Sequence, residues 1–265
     1  MSAGPAWLFC PADRPERYGK AAAVADVVIL DLEDGVAAAD RPAAREVLRR
    51  NPLDPERTVV RVNPAGTEDQ ARDLEALADT AYTTLMLAKT ESAAQVAALA
   101  PRQVVALIET PRGAVFCAEI AAAQDCVAMM WGAEDLVAAM GGGSSRHADG
   151  RYRDVARHVR SSVLLAASTF GRAALDAVYL NIGDLDGLKA EALDGAAVGF
   201  AATVCIHPSQ IEVVRDAYRP APERVDWARR VLAAAQTERG VFAFEGQMVD
   251  SPVLRHAEAI LRRAD

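Results

Sequence analysis

Short apolar runs alternate with alanine-rich stretches along most of the 265-residue chain. Eight of these runs are nearly continuous in Val, Ile, Leu and Ala, which is typical of parallel strands buried on both faces. They predict strands at Trp7–Cys10, Val27–Leu32, Thr58–Val62, Thr84–Leu87, Val104–Ile108, Val127–Trp131, Ala177–Leu180 and Thr203–Ile206. The stretches that follow predict helices near residues 15–24, 40–50, 68–79, 92–99, 113–123, 152–171, 185–199 and 209–217.

Eight strand–helix units of this size predict an α/β fold, a (β/α)8 TIM barrel, over residues 1–219. An open doubly wound sheet is the alternative, but Cys10–Pro15 after the first strand has no glycine of the dinucleotide-binding kind. Residues 220–265 fall outside the repeat and predict a helical extension of the barrel. In it we expect a helix at Glu223–Glu238, a loop at Val241–Asp250 and a last helix with Ser251 as its N-cap.

Charge and composition narrow the class of protein. A net charge of −8 and an acidic composition argue against binding to nucleic acid or to an anionic membrane. No signal peptide is visible, and no apolar run approaches the ~20 residues that span a bilayer. The four cysteines form no CxxC pair, so we expect reduced core residues in a cytoplasmic protein.

Polar residues collect after the predicted strands, whereas the helix-to-strand joints carry far fewer. Catalytic groups of TIM barrels lie at the carboxyl ends of the strands, so this asymmetry predicts an active site there. In chain order the polar segments are Asp13–Pro15, Asp31–Gly35, Arg61 with Asn63, Lys89, Glu109–Thr110, Gly132–Asp135, Asn181 and His207–Pro208.

Glu109 and Asp135 follow adjacent predicted strands, so their carboxylates can meet in one barrel mouth. Two carboxylates completed by water and substrate oxygens are a common way to bind Mg²⁺. The alternative is that both are neutralised by Arg14 and Arg61. Zinc is not indicated, since no Cys/His cluster has zinc spacing, and we interpret His207 as a wall residue.

Arg61 lies among valines in a predicted strand, and a guanidinium there needs an anionic partner. That partner is either a structural carboxylate such as Glu33 or a substrate carboxylate. Arg14, Arg17 and Lys20 are either a solvated helix face or a binding site for the phosphates of a long thioester carrier. The glycine run at residues 141–143 lacks the Lys-Ser/Thr of a P-loop and predicts a flexible connector.

Several motifs, in order along the whole chain, resemble those of the citrate lyase β-subunit-like (CitE-like) proteins. These belong to the group of HpcH/HpaI aldolases and malyl-CoA lyases, and the resemblance is strongest to the stand-alone CitE-like proteins of mycobacteria. The matching segments are Pro11–Tyr18, Val28–Val36, Val60–Asn63, Ala106–Thr110, Gly132–Leu136, Cys205–Gln210 and Gly246–Asp250.

The resemblance implies roles for individual residues. Glu109 and Asp135 would bind Mg²⁺, with Glu109 also at the substrate, and Arg61 would hold the carboxylate of a keto acid. Arg14 would lie by the thioester carbonyl and Lys20 by the phosphates of CoA.

The resemblance also implies a homotrimer or hexamer in which Asp250 reaches a neighbouring subunit's site. Asp34 and Asp250 are our candidates for moving protons. Relatives often have a longer ending that forms a fuller lid, so the resemblance does not extend to substrate selection by a lid.

Three functions remain open at this point. The first is a Mg²⁺-dependent carbon–carbon lyase of malyl-, citramalyl- or hydroxymethylglutaryl-CoA, with malate synthase activity as a side reaction. The second is a citrate lyase β-subunit that acts on an acyl-carrier-protein thioester within a complex. The third is a non-catalytic ligand-binding barrel. Schiff-base chemistry at Lys89 is a weaker alternative, because a metal makes it unnecessary.

Overall fold

Eight parallel strands lie side by side in chain order and close into a barrel, because β8 pairs with both β7 and β1. The computed structural model describes residues 4–238 and 240–264. The strands are β1 Ala6–Pro11, β2 Val27–Asp31, β3 Thr58–Val62, β4 Thr84–Leu87, β5 Gln103–Ile108, β6 Cys126–Trp131, β7 Ala173–Asp176 and β8 Ala202–Cys205. The predicted (β/α)8 barrel is confirmed.

Helices follow the strands and form the outer layer. They are α1 Pro15–Val24, α2 Arg41–Arg50, α3 Glu68–Leu77, α4 Ala93–Ala97, α5 Pro111–Val115, α6 Cys117–Ala122, α7 Ala133–Ala139, α8 Asp154–Thr169, α9 Leu185–Val198 and α10 Ile211–Tyr218. The single helix predicted at 113–123 is therefore two, separated at Phe116, whose φ of −100° and ψ of 15° interrupt the helix. The short α7 was not predicted.

The seventh strand was predicted wrongly at Ala177–Leu180. It lies four residues earlier, where Ala173 and Ala174 pair with β6. Gly171, at a φ of 66°, turns the chain directly after α8. The less hydrophobic segment is thus the first to reach the sheet, and the more β-like run Ala177–Leu180 lies beyond the ladder. Asn181 consequently does not end a strand.

The barrel interior is filled by side chains from every second strand position. The buried cluster includes Val27 and Ile29 of β2, Val59 of β3, and Val105 and Leu107 of β5. Since side chains alternate across a strand, the next inward positions are residues 31, 61 and 109. The apolar core therefore ends where a polar layer begins.

The chain divides into a barrel unit, Met1–Val214, and a terminal unit, Arg215–Asp265. The sequence places the division at 219/220. In the terminal unit, α11 spans Pro222–Ala234 and α12 spans Ser251–Ala264.

The terminal segment predicted as a loop is a β-hairpin of β9 Phe242–Phe244 and β10 Gln247–Val249. Glu245 and Gly246 both have positive φ, as a two-residue hairpin turn requires. The phenylalanines pack against the buried cluster of this unit. Ser251 is not the N-cap: it is the first helical residue, and Asp250 Oδ1 accepts a hydrogen bond of 3.4 Å from the N–H of Val253.

Among the described residues, every helix is too short or too polar to cross a membrane. All four cysteines are buried, as expected from the sequence.

Candidate active site and metal centre

The polar layer above the barrel core begins with Asp31, Arg61 and Glu109. Backbone register places Asp31 of β2 level with Arg61 of β3, so their side chains emerge together. All three are at most 9% exposed. Buried charges need partners, and in this layer they find them in one another.

Asp31 and Arg61 form a two-pronged ion pair. Arg61 Nε donates to Asp31 Oδ1 at 2.7 Å and Nη2 donates to Oδ2 at 2.6 Å. The third nitrogen, Nη1, lies 3.2 Å from Glu33 Oε2, and the guanidinium stacks over Phe9 at 4.6 Å. Although burial opposes it, the charge of Asp31 raises the pKa of Arg61.

This pairing is the structural alternative that the sequence left open for Arg61, with Asp31 added to Glu33. Gly35 is part of it, because its N–H donates to Asp31 Oδ2 at 2.8 Å. A Cβ atom at Gly35 would lie 2.3 Å from the same oxygen. The glycine therefore lets the loop after β2 close over the carboxylate.

Lys89 carries the second cation of the layer. Its ammonium is surrounded by four carboxylates, at 2.5 Å from Glu33, 3.3 Å from Asp34, 3.4 Å from Asp135 and 4.0 Å from Glu109. Burial alone would lower its pKa, but the hydrogen bond to Glu33 and the charge of Glu109 raise it. A firmly protonated amine disfavours the Schiff-base alternative, which needs a neutral lysine.

The backbone of Lys89 is also unusual. Its φ is 51°, in the left-handed region, at a cost of roughly 1–3 kcal/mol for a residue with a side chain. The conformation lets the N–H of Lys89 donate to Glu109 Oε1 at 3.0 Å. Strain of this kind is often found where an active site fixes a group in place.

Glu109 and Asp135 are brought together around the Lys89 ammonium. Glu109 is buried, whereas the side chain of Asp135 is 40% exposed. Burial and the charge of Asp135 raise the pKa of Glu109 to about 8. Gly132 allows this packing, because a Cβ there would lie 2.8 Å from Glu109 Oε2.

These residues fit a magnesium ion. Five carboxylates meet only two cations in this layer, and carboxylate oxygens are the ligands that Mg²⁺ prefers. Glu109 and Asp135 also line a small pocket of about 90 Å³. No group of three or more Asp, Glu, His or Cys side chains in the described chain has metal-binding geometry, so a pair completed by water and substrate is the arrangement that fits.

A larger cleft of about 730 Å³ adjoins this pocket, since Phe9, Arg61, Asp135 and Val178 line both. Arg17 and Lys20 of α1 form its basic wall; the remaining lining residues include Asp34 and His207. A long anionic ligand along α1 could therefore reach from the basic wall to the small pocket.

Comparison with known proteins identifies the family to which the barrel belongs. The model of the HpcH/HpaI aldolase/citrate lyase family matches residues 6–208, from the first strand to just past the eighth. The chain belongs to this family.

Similar family members include a citrate lyase subunit beta-like protein of Mycobacterium tuberculosis, 74% identical over 263 residues that cover 99% of this chain and 96% of the relative. The human mitochondrial citramalyl-CoA lyase is 31% identical over 95% of this chain and 82% of its own. A crystal structure of protein CitE from Mycobacterium tuberculosis, in complex with magnesium, acetoacetate and coenzyme A, superimposes with a TM-score of 0.96. It is 74% identical and covers 99% of this chain and 98% of that one.

One residue that the family resemblance singled out, Arg14, lies apart from the polar layer. The side chain of Arg14 is 56% exposed, lies 3.5 Å from Asp13, and is not among the cleft-lining residues of the described chain. Arg17, one turn later, takes a place on the cleft wall. Asp250 belongs to the terminal unit, where it caps α12.

Sequence reasoning missed a further buried carboxylate at the barrel mouth, Asp176. Asp176, at the end of β7, accepts hydrogen bonds from Trp131 Nε1 at 2.7 Å and Arg160 Nη2 at 2.7 Å. Because the seventh strand was placed too late, Asp176 was read as part of the preceding segment. Glu134 is likewise engaged, by Ser145 Oγ at 2.5 Å, which ties the glycine-rich connector to α7.

Proposed function

We propose that this chain is a magnesium-dependent carbon–carbon lyase. It cleaves, or in reverse forms, a 3-hydroxyacyl-CoA thioester such as malyl-, citramalyl- or hydroxymethylglutaryl-CoA, giving an acyl-CoA and a keto acid. One observation carries the proposal: Glu109 and Asp135 both lie within 4.0 Å of the Lys89 ammonium, and both line a small pocket that adjoins a cleft with a basic wall. The crystal structure of the similar protein CitE from Mycobacterium tuberculosis, in complex with magnesium, acetoacetate and coenzyme A, supports the proposal.

Each part of the substrate has residues suited to it. Glu109 and Asp135 hold magnesium, which when bound polarises the substrate's hydroxyl and carboxylate oxygens and lowers the pKa of the hydroxyl. Arg61 keeps its two-pronged pair with Asp31 and binds the carboxylate of the keto acid through Nη1, which turns from Glu33 to the substrate. Lys20 binds the phosphates of CoA along the cleft.

Two further groups act at the bond that breaks. Asp34, which reaches the Lys89 ammonium at 3.3 Å and lines the cleft, accepts the proton of the substrate hydroxyl as the carbon–carbon bond breaks and returns it to the carbon of the departing enolate. Arg14 stabilises the negative charge that develops on the thioester oxygen. Because Arg14 is exposed, this role requires its long side chain to turn toward the bound thioester.

The test is a panel of thioesters incubated with the purified protein and Mg²⁺. Released acyl-CoA and keto acid are measured by mass spectrometry, and each acyl group is offered on both CoA and an acyl carrier protein. We expect cleavage of at least one CoA thioester by the wild type and by Glu119→Gln, an exposed control on α6, but not by Glu109→Gln. Turnover of carrier-protein thioesters alone would favour the citrate lyase β-subunit function. Failure to turn over any thioester while Mg²⁺ still binds would favour a ligand-binding barrel.

A reverse assay addresses the malate synthase side activity. Acetyl-CoA and glyoxylate are mixed with enzyme and Mg²⁺, and free CoA thiol is followed with a thiol reagent. Thiol release shows that hydrolysis follows condensation, whereas accumulation of malyl-CoA without free thiol shows a lyase alone.

We also propose that Asp250 completes the site of a neighbouring subunit in a homotrimer or hexamer, as the family resemblance implies. Mixing the inactive variants Asp250→Ala and Glu109→Gln under subunit exchange should then restore part of the activity. A mixture that stays inactive would contradict a shared site, and a fully active Asp250→Ala variant would leave this residue only its capping role on α12.

A further inference from the structure

The Lys89 ammonium lies against the same two carboxylates that we assign to magnesium. Its Nζ is 3.4 Å from Asp135 Oδ1 and 4.0 Å from Glu109 Oε1. A magnesium ion held by those carboxylates would place two positive charges beside the ammonium. Like charges this close repel strongly, so both cannot keep full contact with the same oxygens.

Lys89 has other carboxylates to which it can move. Glu33 lies 2.5 Å from Nζ and Asp34 lies 3.3 Å away, on the side of the site formed by the loop after β2. The side chain is 28% exposed and flexible, while the backbone stays anchored by the N–H bond to Glu109. The ammonium can therefore leave Glu109 and Asp135 without any change in the fold.

The residue type fits this behaviour. Of the 29 basic residues in the chain, only three are lysines, and one of them is at this position. An ammonium is a compact point charge that can sit among several carboxylates, as a metal ion does. A guanidinium is a planar fork suited to one fixed partner, which is how Arg61 is used beside it.

We propose that Lys89 is a positioning residue that serves as the resident counter-ion of this centre. In the metal-free protein it holds the four carboxylates in place, and on magnesium binding it gives up Glu109 and Asp135 while keeping Glu33 and Asp34. Lys89 thus competes with the metal and sets its affinity. The inference rests on the proposed magnesium-dependent function.

The experiment compares Lys89→Met with Lys189→Met, an exposed control on α9 that removes the same charge elsewhere. Calorimetry measures the Mg²⁺ dissociation constant of each full-length protein, and thermal melts are recorded in EDTA and in Mg²⁺. Lys89→Met should bind Mg²⁺ at least about tenfold more tightly, or about 1.4 kcal/mol. Its metal-free form should melt earlier, so the gap between the two melts should widen, whereas Lys189→Met should match the wild type.

Two further variants control for folding and for the charge at position 89. Lys89→Gln removes the charge but retains a hydrogen-bond donor, and serves if Lys89→Met does not fold. Lys89→Arg retains the charge and should bind Mg²⁺ less tightly than either neutral variant, Lys89→Met or Lys89→Gln. Unchanged or weaker Mg²⁺ binding by both neutral variants, with normal binding by the wild type, would overturn the counter-ion role alone. A wild type that binds no Mg²⁺ would overturn the proposed function as well.

Discussion

Replacing Gly132 with alanine should disturb the metal centre through close contacts with one residue, Glu109. Gly132 has an extended backbone, with φ −126° and ψ 120°, which alanine adopts without strain. The added Cβ would lie 2.8 Å from Glu109 Oε2, against 3.4 Å or more in an ordinary contact. The buried carboxylate must therefore shift by about 0.6 Å. Functional groups tolerate displacements of only ~0.5 Å, so binding should suffer.

The expected loss is about 10- to 100-fold in Mg²⁺ affinity, the usual effect of disturbing the support of a metal ligand. Overpacking should also cost roughly 1–3 kcal/mol of stability. Calorimetry measures the affinity, and a thermal melt measures the stability. Gly143→Ala is the matched control, since a Cβ there meets nothing within 4 Å. A folded Gly132→Ala protein that binds Mg²⁺ as tightly as the wild type would show that Gly132 does not position Glu109 for the metal.

Three other predictions follow from the same charges. The pKa of Glu109 is raised to about 8, so below that pH Mg²⁺ must displace a proton from its carboxyl group. The Mg²⁺ affinity should therefore fall from pH 8 to pH 6, with close to one proton released per ion in calorimetry. A constant affinity over this range would contradict the prediction. The raised pKa of Glu109 stabilises the folded state at low pH, and this contribution is lost as the pH rises from 4.5 to 8. The melting temperature of metal-free Glu109→Gln should therefore depend less on pH in this range than that of the wild type. The same dependence of melting temperature on pH in both proteins would contradict the prediction. Arg61→Lys should lose activity and also melt at a lower temperature, because an ammonium cannot make the two-pronged pair with Asp31. The expected loss in the free energy of unfolding is roughly 1–3 kcal/mol. An unchanged melting temperature would show that the ion pair is unimportant for stability.

Most of the barrel can be predicted from the sequence, because strands buried on both faces leave continuous apolar runs. The first six strands and the eighth are found within one or two residues of their predicted bounds. The seventh fails because β-propensity favours Ala177–Leu180, whereas the turn at Gly171 decides which segment reaches β6 first. The hairpin was missed because each of its strands is only three residues long.

The site is predictable to the level of which side chains share the barrel mouth. Strand order and an inward period of two are enough to bring Glu109 toward Asp135. Which of these side chains form ion pairs with one another cannot be predicted in the same way, because the pairing depends on strand register and on the reach of long side chains. The fork between Arg61 and Asp31 follows from the level register of β2 and β3. The four carboxylates around Lys89 converge from three separate segments, namely the loop after β2, the residue after β5 and the first turn of α7, and no local pattern records this.

The most direct test of the account is turnover of a cleaved CoA thioester in EDTA, followed by titration with Mg²⁺. We predict no turnover in EDTA and recovery at Mg²⁺ concentrations that match the dissociation constant from calorimetry. Asp135→Asn should shift both quantities together toward weaker binding. Full turnover in EDTA, or recovery unrelated to Mg²⁺ binding at Glu109 and Asp135, would contradict a magnesium-dependent lyase.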